Sequence, residues 1–305
     1  MYDPIQAAKQ ATATMLAEAT SVAPLPTVHP SRPEYQVATE TGQRTLWIVF
    51  VLMLISTIIF TGLAFRTPVQ KRFFHTITAF ITAFAAISYF AMASGDGISL
   101  VSSSVKEAND LVPDTFRTVL RAVYWARYVD WSLTTPLLLL DLALLAGMNG
   151  ANITVAIVAD LVMILTGLFA AFAGDESQKW GYYAIACIAY LVIIFQLAVS
   201  GRQNALARDS KTATLFNSIA GFTLIIWTVY PVVWGIADGA RKINVDAEII
   251  AYAVLDVLAK PVFGFWLLLS HDVLDSSSLV IEGVWAYGLG KREGALRVGD
   301  DDEGA

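Results

Sequence analysis

Seven predominantly apolar stretches, each roughly 20 residues long and so able to cross a bilayer as helix, recur along this chain at about 43–65, 73–94, 116–140, 153–173, 180–200, 215–238 and 247–270. Within hydrocarbon every backbone N–H and C=O must be satisfied inside the segment, and at this length helix is the form that does so. The connections are mostly short and polar. The longest, about 95–113, holds Gly95, Gly97, three consecutive serines and Pro113, and Asp114 is placed to cap the third helix. The expected fold is an all-α membrane protein, a seven-transmembrane-helix bundle over residues 43–271. With 56% hydrophobic and only 15% charged residues, the chain is too apolar for an ordinary soluble domain.

Residues 1–42 are rich in Ala, Thr and Pro and lack both a basic start and a continuous apolar run, so they read as a disordered external tail rather than a cleaved leader. Residues 272–305 read as a cytoplasmic tail. Arg66, Lys71, Arg72, Arg202, Arg208 and Lys211 cluster in the first and fifth connections, a bias that places the N-terminus outside a multi-pass protein, in the plasma membrane. The net charge of −6 partly reflects Asp300, Asp301, Asp302 and Glu303 and implies no surface for nucleic acid. The single cysteine, Cys187, excludes an intramolecular disulfide, and no metal site is expected.

A charge inside a bilayer costs roughly 2.5–3.5 kcal/mol, so the informative residues are Arg127, Asp130, Asp141, Asp160, Asp256 and Lys260. From Arg127 to Asp130, Thr134 and Asp141 the separations return to one helical face. Asp130 and Asp141 then stand roughly 16 Å apart along the axis, too far to share a proton. Lys260 lies one turn from Asp256 in an otherwise apolar run. An ion pair stitching helices together is the plainer reading; the chemical one is a desolvated amine that forms a Schiff base with an aldehyde, with Asp130 and Asp256 as counterions. On the sixth segment Trp227, Tyr230 and Trp234 form an aromatic face beside Pro231, which Trp131 and Thr134 could meet. Such a stripe is more often packing than ligand wall; joined to a buried lysine, it suggests a slot for a long apolar ligand.

The runs ARYVDWSLTTPLLLLDLALL (Ala126 to Leu145), WTVYPVVW (Trp227 to Trp234) and VLDVLAK (Val254 to Lys260) resemble the microbial (type 1) rhodopsins. The long N-terminal segment and DESQKWGYY (Asp175 to Tyr183) are similar to the fungal branch, near the Leptosphaeria-type light-driven proton pumps. The resemblance implies all-trans retinal on Lys260, Asp130 as proton acceptor and counterion, Asp256 as second counterion, and Asp141 as internal proton donor. It implies Arg127 as the arginine that moves when the acceptor protonates, Glu248 as a proton-release carboxylate, and Asp238 as a candidate partner for it. The implied pocket comprises Tyr89, Trp131, Thr134, Leu138, Met163, Gly167, Trp227, Tyr230 and Trp234, with Tyr128 and Thr135 close by. Leu138 matches a leucine associated with green absorption. Two departures stand out: Gly181 where archaeal pumps carry a pocket tryptophan, and Pro261 directly after the lysine, where a kink or local unwinding of the helix is expected.

These features favour a light-driven outward proton pump, a transporter or photoreceptor rather than an enzyme, whose partners are protons and membrane lipids; a homo-oligomer is compatible with them. Asp130, Thr134 and Asp141 form the proton-pump pattern, whereas chloride and sodium pumps differ at these positions. The alternative is a slow-cycling fungal photosensor with little net transport. His75 is expected at the membrane interface, and Asp160 as a structural carboxyl.

Overall fold

The computed structural model describes residues 33–69, 72–107 and 115–273. Asp114 and the outer parts of both expected tails lie outside them. The described residues fall into two compact units. In one, which holds Glu34 with residues 104–107 and 115–119, Arg117 pairs with Glu34 at 2.7 Å. The other, Tyr35–Ser103 with Leu120 onward, carries the seven membrane-spanning helices.

The helices are α1 (Glu40–Arg66), α2 (Arg72–Ser94), α3 (Trp125–Ala146), α4 (Gly150–Phe172), α5 (Glu176–Arg208), α6 (Ser210–Gly239) and α7 (Val245–Ser270). Short polar side chains just before them accept backbone N–H groups that the first turn leaves unpaired: Thr39 for α1, Asn149 for α4, Asp175 for α5, Asp209 for α6 and Asn244 for α7. Gly147 ends α3 in the left-handed conformation, φ 73°. In the tight turn after α2, a Cβ on Gly97 would stand 2.6 Å from that of Ala126, so only glycine fits there.

Burial separates the helices by role. More than half of the spanning windows of α2, α3 and α7 are inside the bundle (61%, 61% and 56%), against 28% for α1 and α4. Outer positions such as Ile48, Ile58, Val158, Ile188 and Leu191 are exposed and apolar, as lipid requires. The membrane charges sit mainly on the inner helices.

The third span corrects the sequence expectation of helix over 116–140. Residues Thr115–Val123 are a strand, β3, which lies between β1 (Glu34–Gln36) and β2 (Ser99–Glu107) in a three-stranded sheet of order β1-β3-β2. Apolar counting cannot separate the two forms over a short run, but TFRTVLRAV is rich in β-formers, and Val119, Arg121 and Val123, two apart, are all buried. The helix therefore starts at Trp125, and Asp141 lies well within it rather than at its end. A π-helical turn over Leu258–Val262 holds Lys260 and Pro261, which is the local unwinding expected where proline removes a backbone donor. Similar turns occur at Gln196–Gly201 in α5 and Gly235–Gly239 in α6.

Candidate functional site

Lys260 is 1% exposed, and its Nζ donates to Asp130 Oδ2 at 2.6 Å and Asp256 Oδ1 at 3.0 Å. One cation thus stands between carboxylates from α3 and α7. The two carboxylates are held differently. Asp256 accepts further hydrogen bonds from Tyr89 Oη at 2.6 Å, Tyr230 Oη at 2.8 Å and Trp131 Nε1 at 3.4 Å. Asp130 Oδ1 has no hydrogen-bond partner among the described residues. The Thr134 hydroxyl, one turn on, donates to the Asp130 backbone carbonyl at 2.9 Å.

From Lys260 an apolar cavity of about 90 Å³ is walled by residues of α3, α4, α5 and α6. Of the expected pocket residues, Trp131, Leu138, Met163, Gly167, Trp227, Tyr230 and Trp234 line it, as do Tyr128 and Thr135. Tyr89 and Thr134 stand outside its lining, beside the carboxylates. Gly181 is also absent from the wall: it is exposed, and a Cβ there would meet no atom within 4 Å. Tyr183, two residues further on, lines the cavity instead. Its ring stacks on Trp234 at 4.9 Å, and its hydroxyl donates to the Pro231 carbonyl at 2.9 Å. Ile164, Ala186, Cys187, Tyr190, Tyr252 and Ala259, not anticipated from the sequence, complete the wall. Their signal was helical spacing from Tyr183, Tyr190 and Asp256.

The lining suits retinal on two grounds. A long slot walled by aromatic and aliphatic side chains matches a polyene, and its only lysine, Lys260, presents an amine able to condense with an aldehyde. Thr135 Oγ1 donates to Asp160 Oδ2 at 2.7 Å, tying α3 to α4 behind this wall.

Asp141 is fully buried, and neither carboxyl oxygen has a hydrogen-bond partner among the described residues. Thr78 of α2 faces it, the Thr78 hydroxyl donating to the Phe74 carbonyl at 2.8 Å. One turn before Thr78, near the start of α2, His75 is buried within the bundle.

At the opposite end lies a group of buried charges. Arg127 Nη1 donates to Glu248 Oε1 at 3.0 Å, and the guanidinium lies 4.2 Å from the Tyr252 ring centre. Asp238 does join this group, through Arg121: its Oδ1 is 3.6 Å from Arg121 Nε. Arg121 also donates to Glu248 Oε2 at 2.7 Å and is 2% exposed. The sequence reading missed Arg121. It fell inside the stretch taken as helix, and as an intramembrane charge it should have stood beside Arg127. Tyr124 caps this end of α3, and burial pushes its phenol up to about 12, so it remains neutral.

A seven-helix membrane protein with a buried lysine opening on an apolar cavity, flanked by carboxylates at several depths, is the frame of a light-driven retinal protein. Residues 40–274 match the family described as bacteriorhodopsin-like protein, and the chain belongs to that family. It is 50% identical to Opsin-1 of Neurospora crassa over 281 residues, 92% of each chain. It is 40% identical to the opsin-like protein carO of Fusarium fujikuroi over 78% of this chain and 76% of that one. Among solved structures, the light-driven proton pump LR (Mac) of Leptosphaeria maculans matches with 57% identity and a TM-score of 0.77, covering 79% of this chain and 98% of that one. The proton pump of Coccomyxa subellipsoidea matches at 39% identity and a TM-score of 0.72, covering 78% and 100%. The family implies a retinal chromophore, a multi-pass membrane protein, and a light-driven pump or photoreceptor.

Proposed function

We propose that this chain is a light-driven outward proton pump that uses all-trans retinal on Lys260. The observation that carries this reading is the order of carboxylates by depth. Asp141 stands on one side of Lys260, Asp130 and Asp256 beside it, and Glu248 with Asp238 on the other side. The basic residues of the first and fifth connections support a cytoplasmic Asp141 end and an external N-terminus, and we place the protein in the plasma membrane. Residues 1–42 and 272–305 are then the external and cytoplasmic tails.

When bound, retinal supplies the light-driven isomerisation that redirects the Lys260 nitrogen. Asp130 accepts the proton from that nitrogen: it is 2.6 Å away and has an oxygen with no hydrogen-bond partner among the described residues. Asp256, fixed by Tyr89, Tyr230 and Trp131, keeps its charge and holds the site together. Asp141 enters each cycle carrying its proton, since an unpaired carboxylate in that apolar surround would cost several kcal/mol, and gives it back to Lys260 Nζ. Arg127, with two buried donors lacking hydrogen-bond partners among the described residues, is free to turn from Glu248 toward the acceptor as Asp130 neutralises. A proton then leaves through the outer charge group that holds Glu248 and Asp238.

The test is the light-induced pH change of an unbuffered suspension of cells making the protein with all-trans retinal, with and without a protonophore. Acidification abolished by the protonophore is expected. A coloured protein giving no pH change would overturn this reading in favour of a slow-cycling photosensor.

A further inference from the structure

Two arginines divide one carboxylate at the outer end of the path, and they are held very differently. Glu248 is fully buried; Arg127 Nη1 donates to its Oε1 at 3.0 Å and Arg121 Nη2 to its Oε2 at 2.7 Å. Arg121 is anchored from several directions. Its Nη1 donates to Gln36 Oε1 of β1 at 3.1 Å and to the Ile243 carbonyl, in the connection between α6 and α7, at 3.2 Å. Among the described residues the Arg127 guanidinium makes only the Glu248 hydrogen bond, and its Nε and Nη2 are buried with no hydrogen-bond partner there. A guanidinium tied at three points keeps its place, while one tied at a single point and resting on an aromatic ring can swing.

We propose that Arg121 is a positioning residue of the outward proton path, a fixed cation that keeps Glu248 ionised and in place while Arg127 leaves it. This rests on the proton-pump reading. When Arg127 turns away, Glu248 still holds a charge-assisted hydrogen bond of 2.7 Å and does not take up and store the proton. Asp238 lies 3.6 Å from Arg121 Nε, beyond hydrogen-bond distance, and its Oδ1 has no hydrogen-bond partner among the described residues. It is therefore the carboxyl of this pair free to carry the proton outward. Strand β3, through the position of Arg121, thus sets which carboxyl serves as the exit station.

The experiment is infrared spectroscopy of the full-length pigment with ¹³C-carboxyl glutamate, Glu248 bands being assigned by subtraction of the Glu248→Gln spectrum, together with flash-induced proton release followed by a pH dye. In the unsubstituted protein Glu248 is expected to show carboxylate bands only, in the dark and through the cycle. In Arg121→Gln a protonated Glu248 band is expected, with release to bulk slowed about tenfold while proton transfer to Asp130 keeps its rate; Arg121→Lys is expected to restore most of the speed. A protonated Glu248 in the unsubstituted dark pigment would overturn the proposal, as would an Arg121→Gln pigment of normal colour with unchanged bands and timing. If that variant gives no pigment, the unsubstituted protein's infrared bands decide alone. Complete absence of bulk proton release from the unsubstituted protein would instead sink the pump reading, and the dark Glu248 bands would still test the role of Arg121 in holding its charge.

Discussion

Asp141 and Glu248 are both fully buried carboxyl side chains, one on either side of Lys260, and their surroundings are opposite. Around Asp141 the packing is apolar, with Phe74, Ile77, Leu138, Leu142 and Leu145 buried in the same cluster, and neither oxygen has a hydrogen-bond partner among the described residues. At Glu248 each oxygen takes a guanidinium. Burial alone therefore does not set the charge of a membrane carboxyl; the donors within reach do. A proton source needs the first environment and a charged exit the second, and the two ends of this bundle supply one each.

The contrast can be broken most severely at its midpoint. Lys260→Ala removes the amine that both ends serve, and visible absorbance on adding all-trans retinal to the purified protein is expected to vanish. Absorption of the unsubstituted pigment in the green would fit Leu138 on the cavity wall. Next in size is Asp141→Asn. Loss of the internal donor should slow the return of the proton roughly 10²-fold or more, read by flash photolysis, with the colour unchanged. An unslowed cycle would show that some other group reprotonates Lys260.

Stability should separate the two ends in the reverse sense. Glu248→Ala strands two buried guanidinium groups, and a loss of about 3–5 kcal/mol is expected in denaturant-induced bleaching. Asp141→Asn removes no ion pair, and a change below about 1 kcal/mol is expected. Equal losses would erase the distinction drawn between the ends. A stability effect between these two concerns neither end: Thr135→Val deletes the 2.7 Å hydrogen bond to Asp160, costing about 1–3 kcal/mol while leaving the proton-transfer rates near normal.

Much of this was legible before any coordinates. Seven apolar segments each became a membrane helix, and six kept approximately their expected place. Charges rare enough to be costly in a membrane drew attention to Asp130, Asp256 and Lys260, which the bundle brings into contact, and to Asp141, which it buries. The misreadings have a common origin. Arg121 was absorbed into a helix because the apolar content of 116–123 was counted without weighing its β-forming residues. Gly181 was placed on the pocket wall by matching, whereas helical phase puts Tyr183 there and turns Gly181 outward. Tyr89, expected in the pocket, stands just outside the cavity lining, its hydroxyl donating to Asp256.

Transfer free energy and backbone satisfaction act residue by residue along a segment, so the amino-acid order by itself determined the membrane class, the helix count and which side chains could not be idle there. Choice of partner is another matter. Asp130 and Asp256 are equally acidic in the sequence, yet only packing gives one three additional donors and leaves the other an open oxygen. Likewise Arg121 and Arg127 differ only in what the folded chain brings within 3.2 Å of each. Hydrogen bonds are made over ångströms between residues more than a hundred positions apart, and that distance exists only once the helices have packed.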